Sequence, residues 1–556
     1  MLDTVNPAEE PASQRVLSSI ELVGLLLENV FSFRDRLALH ATCRTMRGFV
    51  ADPVHWRSLT LQAERFDRPS ISERVRFAMR WVKAGIVRSL TVRAHHLTLE
   101  LPARGCRLVE LDIAGASIKD AFLLRAAFGA CGETLRRLDV TFVRILGHPL
   151  SDCLHGAKGV QFGPRPGIIF TPSPIDLFEP LRRLEVLSAY DTESAIAAEY
   201  SIVGYALSRC PFLTTLVTGG GSEFLSDATG GPAAATRFAQ SNLCRLELSH
   251  ALRARYLHGL APPAHLTRLS LRGYLRFGVE DVTWLLSSTP PIQSLDLCGC
   301  RVALTHSSDH EGQLAAETIA KLAPTLTHLN VRGTGFDDGY ARALAAAGAR
   351  ISRLNASCTD LTGVGLAALA NASPQLEVLD LCYAQGCARD VPAVRAAVRR
   401  HSPGLRMLGL GGFDTLNLSD LRAMLEPNRQ SLTHLGIGGC TSLDASAALS
   451  LLSEACPNLT ALSAHKLPGV CTAALLTVID KCPALRSLDV YDTVPMHEVS
   501  DCGSYALVQS VGDLLASNQP ARIPLKRWLA LGCERVGEHL GGLPRVIEEE
   551  QAVAYW

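Results

Sequence analysis

Aromatic residues make up only 6% of the 556-residue chain, and there is no net charge, because 54 Lys and Arg stand against 54 Asp and Glu. The scarcity of rings argues against a core of large aromatic plugs and suits thin layers filled by Leu and Ala. The missing global field removes the sequence-level argument for nucleic acid or an anionic membrane as a partner. No apolar run is long enough to cross a bilayer, and the polar opening MLDTVNPAEEPASQ lacks a signal-peptide core. Seventeen cysteines are present but do not cluster as in a small stapled domain. Free thiols in a reducing compartment, cytoplasm or nucleus, are the expectation. Catalytic motifs are missing too: there is no G-x-S-x-G, no H-E-x-x-H and no EF-hand loop. GTGFDDG from Gly333 and GLGGFD from Gly409 lack the Lys-Ser/Thr ending of a phosphate loop and read as turns. Asp337 and Asp338 read as a turn or helix cap rather than an acid/base pair. Cys298-x-Cys300 with His306 and His310 has metal-like spacing, but a thiol just after a strand is usually a small apolar filler. No enzyme activity, metal or cofactor is expected.

What the chain has in abundance is one phrase, Leu-x-x-Leu-x-Leu. It reads LVELDI from Leu108, LRRLDV from Leu135, LCRLEL from Leu243, LTRLSL from Leu266 and IQSLDL from Ile292. It continues as LTHLNV from Leu326, LEVLDL from Leu376, LRMLGL from Leu405, LTHLGI from Leu432, LTALSA from Leu459 and LRSLDV from Leu485. The second leucines, Leu269 through Leu488, step mostly by 25 to 29 residues. That is the period of a leucine-rich repeat. In each unit a short strand points its leucines inward and its alternate residues outward, and a helical stretch such as GVGLAALANASP (Gly363 to Pro374) returns the chain. The expected fold is an α/β solenoid, curved, with parallel strands on the concave face and helices on the convex face. A small all-α segment precedes it.

Weaker copies lie around Leu59, Leu90, Leu187, Leu216 and Leu529, and one around Val160 divides an otherwise long gap between Leu138 and Leu187, giving about seventeen or eighteen units. Residues 217–242, 300–313 and 491–523 overrun the period and are expected as surface loops, the Gly-rich first one flexible and the last able to hold a helix. The organisation expected is a disordered tail at 1–15, a helical segment at 16–58 and the solenoid with its C-terminal cap at 59–556.

The segment IELVGLLLENVFSFRDRLALHATCRTMRGFVADPVHWRSLTL resembles an F-box, and the repeats behind it resemble the cysteine-containing subclass that follows F-boxes. Cys298, Cys382, Cys440 and Cys533 stand after strands, and Cys210, Cys456 and Cys482 precede proline or the next leucine phrase at helix ends. Together the two likenesses cover nearly the whole chain and point to the F-box/LRR proteins. That resemblance implies a substrate-recognition subunit of a Skp–cullin–F-box ubiquitin ligase. A Skp-type adaptor and cullin scaffold would be its partners, and the solenoid would capture a protein substrate. Adaptor-facing positions carried over by the resemblance are Leu22, Leu26, Val30, Phe31, Leu37, Leu39, Cys43 and Trp56. Two departures remove apolar contacts: Ser18 and Ser19 replace the usual Leu-Pro, and Met46 replaces an aromatic. The alternative is an LRR interaction scaffold whose F-box recruits no adaptor; a regulator of GTPases or nucleases is a more distant one.

The outward positions of the strands sort into two regions. Arg245, Arg268, Arg272, His328, Arg332 and Arg353 gather in the middle units, interrupted by Glu247 and Asp296, and suit an acidic or phosphorylated segment. Met407, Gly409, Gly411, Gly436, Gly438, Ala461 and Ser463, flanked by His434 and His465, form a small-residue floor expected to leave space for an apolar side chain or small ligand.

Overall fold

In a computed structural model, the described residues are 57–62, 82, 85–93, 106–118, 121–141, 143–145, 148–149, 178–190, 202–219, 232–249, 262–272, 291–300, 310–401, 403–469, 472–485 and 487–489. The expected tail, the F-box-like segment through Trp56, the loop at 491–523 and the copy near Leu529 lie outside them. The chain divides into two units, Met1–His265 and Leu266–Trp556.

Every clear copy of the leucine phrase forms a strand, and so do the weaker copies around Leu59, Leu90, Leu187 and Leu216. In the first unit these are β1 (Ser58–Gln62), β2 (Ser89–Arg93), β3 (Glu110–Asp112), β5 (Arg137–Asp139), β8 (Val186–Tyr190), β9 (Thr215–Gly219) and β10 (Arg245–Ser249). They pair in parallel with leucine opposite leucine: Leu59 against Leu90, Leu90 against Leu111, Leu111 against Leu138 and Leu138 against Leu187. That last pair corrects the sequence reading around Val160. Because β5 and β8 bond directly, no strand from Val160 can stand between them in this sheet. Beside the sheet β4 (Ser117–Ile118), β6 (Arg144–Ile145) and β7 (His148–Pro149) form a small three-stranded sheet of their own. The helices described here are α1 (Ala121–Cys131), α2 (Ile202–Arg209) and α3 (Pro232–Ala239). Helix α3 occupies part of the 217–242 overrun, which was expected as a flexible loop.

The second unit is more regular. Its strands are β11 (Arg268–Ser270), β12 (Ser294–Asp296), β13 (His328–Asn330), β14 (Arg353–Asn355), β15 (Val378–Asp380), β16 (Met407–Gly409), β17 (His434–Gly436), β18 (Ala461–Ser463) and β19 (Ser487–Asp489). Each pairs in parallel with the next, with Leu269, Leu295, Leu329, Leu354, Leu379, Leu408, Leu435, Leu462 and Leu488 in one file. The leucines of this file from Leu269 to Leu462 are buried, and helices supply the other wall, as Leu366, Leu369 and Ala370 do opposite Leu354. The helices are α4 (His310–Ala320), α5 (Asp338–Ala346), α6 (Gly363–Ala372), α7 (Gln385–Ala388), α8 (Val391–Arg400), α9 (Leu418–Leu425), α10 (Ala445–Ala455) and α11 (Thr472–Lys481). This is an α/β leucine-rich-repeat solenoid.

Helix starts are set by short polar residues. Asp337, Thr362, Asp390, Asn417 and Asp444 each accept a backbone N–H of the helix they begin. Asp338 does something different. Its Oδ1 accepts from Thr362 N (2.9 Å) and Gly365 N (3.1 Å), and its Oδ2 from the Thr362 hydroxyl (2.6 Å), so a residue of α5 caps α6 in the following repeat. The reading of Asp337 and Asp338 as caps holds, with the second acting across repeats.

Cysteines occupy two distinct repeat positions that the sequence reading merged. Cys300 and Cys440 are buried and donate to the carbonyls of Leu271 (2.7 Å) and Leu410 (3.1 Å), one repeat earlier. Cys298 and Cys382 stand two residues nearer the strand, on the outward side, and are only partly covered. At the helix ends Cys210, Cys456 and Cys482 are buried, and the Cys482 thiol donates to Cys456 O (3.4 Å).

Candidate functional site

The leucine file fixes everything on the opposite, open face of the second unit's sheet. One outward column runs Arg268, Ser294, His328, Arg353, Val378, Met407, His434 and Ala461. A second, two residues on, runs Ser270, Asp296, Asn330, Asn355, Asp380, Gly409, Gly436 and Ser463. The ladder continues past the strands, with Gly299 N bonding Arg332 O, Gly333 N bonding Ser357 O, Cys358 N bonding Cys382 O and Tyr383 N bonding Gly411 O. A third column, Arg272, Cys298, Arg332, Ser357, Cys382, Gly411, Gly438 and His465, follows from that register.

The second column is held by its own side chains. Asp296, Asn330, Asn355 and Asp380 each turn Oδ1 back onto the N–H two residues later, at 3.0 to 3.2 Å. Asp112 and Asp139 do the same in the first unit. These Asx turns end the strands that carry them and explain why Asp or Asn so often stands between the leucines. The sequence reading missed this role, although the repeated LD and LN pairs carry the signal.

Of the six expected partner-binding residues, five lie in the second unit. Arg268, His328 and Arg353 share the first column, and Arg272 and Arg332 the third. Arg245 belongs to the first unit, where its Nε donates to Glu247 Oε1 (2.6 Å), so its charge is matched within its own strand. Arg272 pairs with Asp296 (3.3 Å), whose Oδ2 also accepts from the Ser270 hydroxyl (3.2 Å). Arg268, Arg332 and Arg353 make no ion pair among the described residues.

His328 sits among them with a defined tautomer. Thr327 Oγ1 gives its proton to Gln293 O (3.1 Å), so at 2.8 Å it receives one from His328 Nδ1. Nε2 is then the acceptor nitrogen. Thr433 and His434 repeat the arrangement. Burial, followed by the charges of Arg353 and Arg268, holds His328 below its ordinary value of 6.5, with Glu377 opposing. Burial also lowers His434 and His401.

For a histidine held neutral by the fold, the unfolded chain binds more protons at mildly acid pH. Stability is therefore present above the unfolded pKa, near 6.5, and is lost as pH falls through and below it. We expect the denaturation midpoint to drop from pH 7 to pH 5. His328→Gln should make that drop shallower, as measured by urea unfolding at both pH values.

The small-residue floor is not uniformly open, which corrects the expectation of free space above it. The Tyr383 ring lies against Gly412 and Gly439, where an added Cβ would come within 2.4 Å of the ring and 3.0 Å of the hydroxyl. The His465 ring covers Gly438, where a Cβ would meet it at 2.3 Å. The two side chains join through Tyr383 Oη and His465 Nε2 (3.2 Å), and His465 Nδ1 meets Ser463 Oγ (2.9 Å). Tyr383 has φ 59°, in a position where Gly299, Gly333, Gly412 and Gly439 stand in other repeats. Glycine at 411, 412, 438 and 439 makes room for the protein's own groups. Burial, then the neighbouring Asp380, pushes the Cys382 thiol well above 9.0, and its sulfur accepts from Gly411 N (3.2 Å). Beneath Gly409 an added Cβ would strike Asp380 and the Cys382 sulfur. Gly436 alone among these floor glycines would meet only ordinary contacts, 3.7 Å to Cys382 Sγ and to Gly409 Cα.

The adaptor-facing positions Leu22, Leu26, Val30, Phe31, Leu37, Leu39, Cys43 and Trp56 lie outside the described residues, as does His306. Among the described residues no group of three or more His, Cys, Asp or Glu could hold a metal ion, and no helix is long and apolar enough to cross a membrane.

No family model and no curated protein matches the sequence. Solved structures do resemble it. One is the yeast complex of Rad7 and Elc1, at 18% identity over 59% of this chain and 76% of that one, with a TM-score of 0.41. Another is an internalin from Listeria monocytogenes, at 13% identity over 88% of this chain and 99% of that one, with a TM-score of 0.29.

Proposed function

We propose that this chain is the substrate-recognition subunit of a Skp–cullin–F-box ubiquitin ligase, with no catalytic step of its own, acting in cytoplasm or nucleus. The F-box-like segment at 16–58 would dock a Skp-type adaptor through Leu22, Leu26, Val30, Phe31, Leu37, Leu39, Cys43 and Trp56. The solenoid would hold the target protein for a ubiquitin-charged partner enzyme. The observation that carries capture is the open face of the second unit, where Arg268, Arg332 and Arg353 stand on a hydrogen-bonded strand ladder with no ion pair among the described residues. Guanidinium groups left available in this way are what an acidic or phosphorylated segment needs. The ligase role is supported by the F-box-like sequence directly ahead of the first strand.

Co-purification of the full chain with a Skp-type adaptor tests the proposal. Stoichiometric binding, lost in Leu26→Asp or Trp56→Ala, is the expected result. Absence of binding at micromolar adaptor would favour the scaffold reading, to which Ser18 and Ser19 in place of Leu-Pro already point. Arg268→Glu combined with Arg332→Glu should abolish target capture and leave the unfolding midpoint unchanged. Undiminished pull-down of the target would remove this face from the binding role.

A further inference from the structure

The cationic patch and the one open place in the small-residue floor belong to the same sheet, and the register gives the distance between them. Arg353 stands on β14. Gly436 stands on β17, three strands further along, with Met407 of β16 and Ala461 of β18 bordering it in the neighbouring column. At ~4.8 Å between strands, the span from Arg353 to the Met407–Gly436 area is about 10–14 Å, which an extended segment crosses in about three or four residues.

Each end has its own chemistry. At the first, Arg268, Arg332 and Arg353 bring three guanidinium groups unpaired among the described residues. Three cations suit a dianion with several acceptor oxygens better than a single carboxylate. At the second end, Gly436 lacks the reasons that hold its neighbours to glycine. Its backbone is not in the left-handed region, and a Cβ would meet only ordinary contacts. The fold does not demand glycine here, yet glycine keeps this spot on the open face low, beside Met407 and the buried Ala461.

We propose that the open face of the Leu266–Trp556 unit takes an extended protein segment carrying a phosphorylated residue at Arg353, in the shared field of Arg332 and Arg268, and, about three or four residues away, an aliphatic side chain seated over Gly436. The inference rests on the reading of this face as the capture surface. It adds the two-point chemistry and the spacing.

The test uses the full chain and fluorescein-labelled peptides of Gly and Ser containing one phosphoserine and one leucine at varied separations, read by anisotropy at fixed salt. Binding should be tightest when the two are about three or four residues apart. It should weaken roughly tenfold to hundredfold when phosphoserine becomes serine, and less when it becomes glutamate. Arg332→Glu with Arg353→Glu should erase the dependence on phosphate. Gly436→Val should erase the dependence on leucine and keep that on phosphate, with an unchanged unfolding midpoint showing that the variant folds. Binding that ignores the separation, or leucine dependence that survives Gly436→Val, overturns the two-point site. Equal or tighter binding of a single-stranded oligonucleotide of matched charge overturns the assignment to a protein segment. No binding of any peptide overturns the proposal outright. Adaptor binding measured on the same preparation separates these failures from a failure of the ligase reading, since the peptides do not require the adaptor.

Discussion

Asp338→Ala should destabilise the second unit by about 2–4 kcal/mol, more than an exposed helix-start carboxylate ordinarily contributes. The reason is the cross-repeat cap. Thr362 N, Gly365 N and the Thr362 hydroxyl all donate to this one carboxylate, so its removal strips two amides at the start of α6. Neither amide has an acceptor within its own helix, because first-turn N–H groups never do. Hydrogen exchange should show α6 amides losing protection before those of α10. Uniform loss of protection across the unit would mean that the carboxylate acts on the whole array. Gly365→Ala probes the same contact with a sign that general propensity gets wrong. Alanine in a helix should gain about 1 kcal/mol over glycine. Here the new Cβ would lie 2.4 Å from Asp338 Oδ1 and 2.9 Å from Asp338 Cα, so a lower midpoint is expected.

Gly132→Ala is expected to cost about 3 kcal/mol or more in the first unit, the upper end for overpacking. A Cβ there would stand 2.2 Å from Pro180 O and 2.9 Å from Pro180 C. Both sides of that contact are backbone, so no rotamer change relieves it. The segment that would have to retreat carries Phe178, Leu181 and Leu184, all buried. Thermal unfolding of the variant beside Gly436→Ala gives the comparison, since a Cβ at 436 meets nothing closer than 3.7 Å. Similar midpoints for the two variants would show that the approach to Pro180 does not constrain the fold.

The contrast among these glycines shows what the sequence could and could not convey. Strand register was legible because leucine is repeated at one spacing and burial of each leucine rewards one alignment. From register followed the columns, and with them the grouping of Arg268, Arg272, His328, Arg332 and Arg353. The glycines were not legible, because Gly409, Gly411, Gly436 and Gly438 look alike in a string of letters. Only placement shows that three of them yield to Asp380, Cys382, Gly438 O and His465 while the fourth does not. Tyr383 reaches His465 across 82 residues of sequence, a distance no local pattern spans. Val160 failed for a related reason. The period invited an extra repeat, but a long gap need not add a strand to the sheet, and β5 bonds β8 directly. Arg245 was misplaced because spacing alone does not reveal that Glu247, on the same side of its own strand, satisfies it.

The capped helix starts carry one more consequence. In the second unit each helix returns against a parallel strand, so α5, α6, α8, α9 and α10 all point one way. Asp337, Asp390 and Asp444 mark the rim where the helices start, while at the other rim Arg399 and Arg400 end α8, Arg422 lies in the last turn of α9, and α5, α6 and α10 end without a basic residue. Aligned peptide dipoles would repel side by side, and these charges offset them at the starts and at the ends of α8 and α9. A carboxylate stands at each of the five starts, Asp338 serving α6, but a basic residue at only two of the ends, so added salt should act more on the far rim than on the near one.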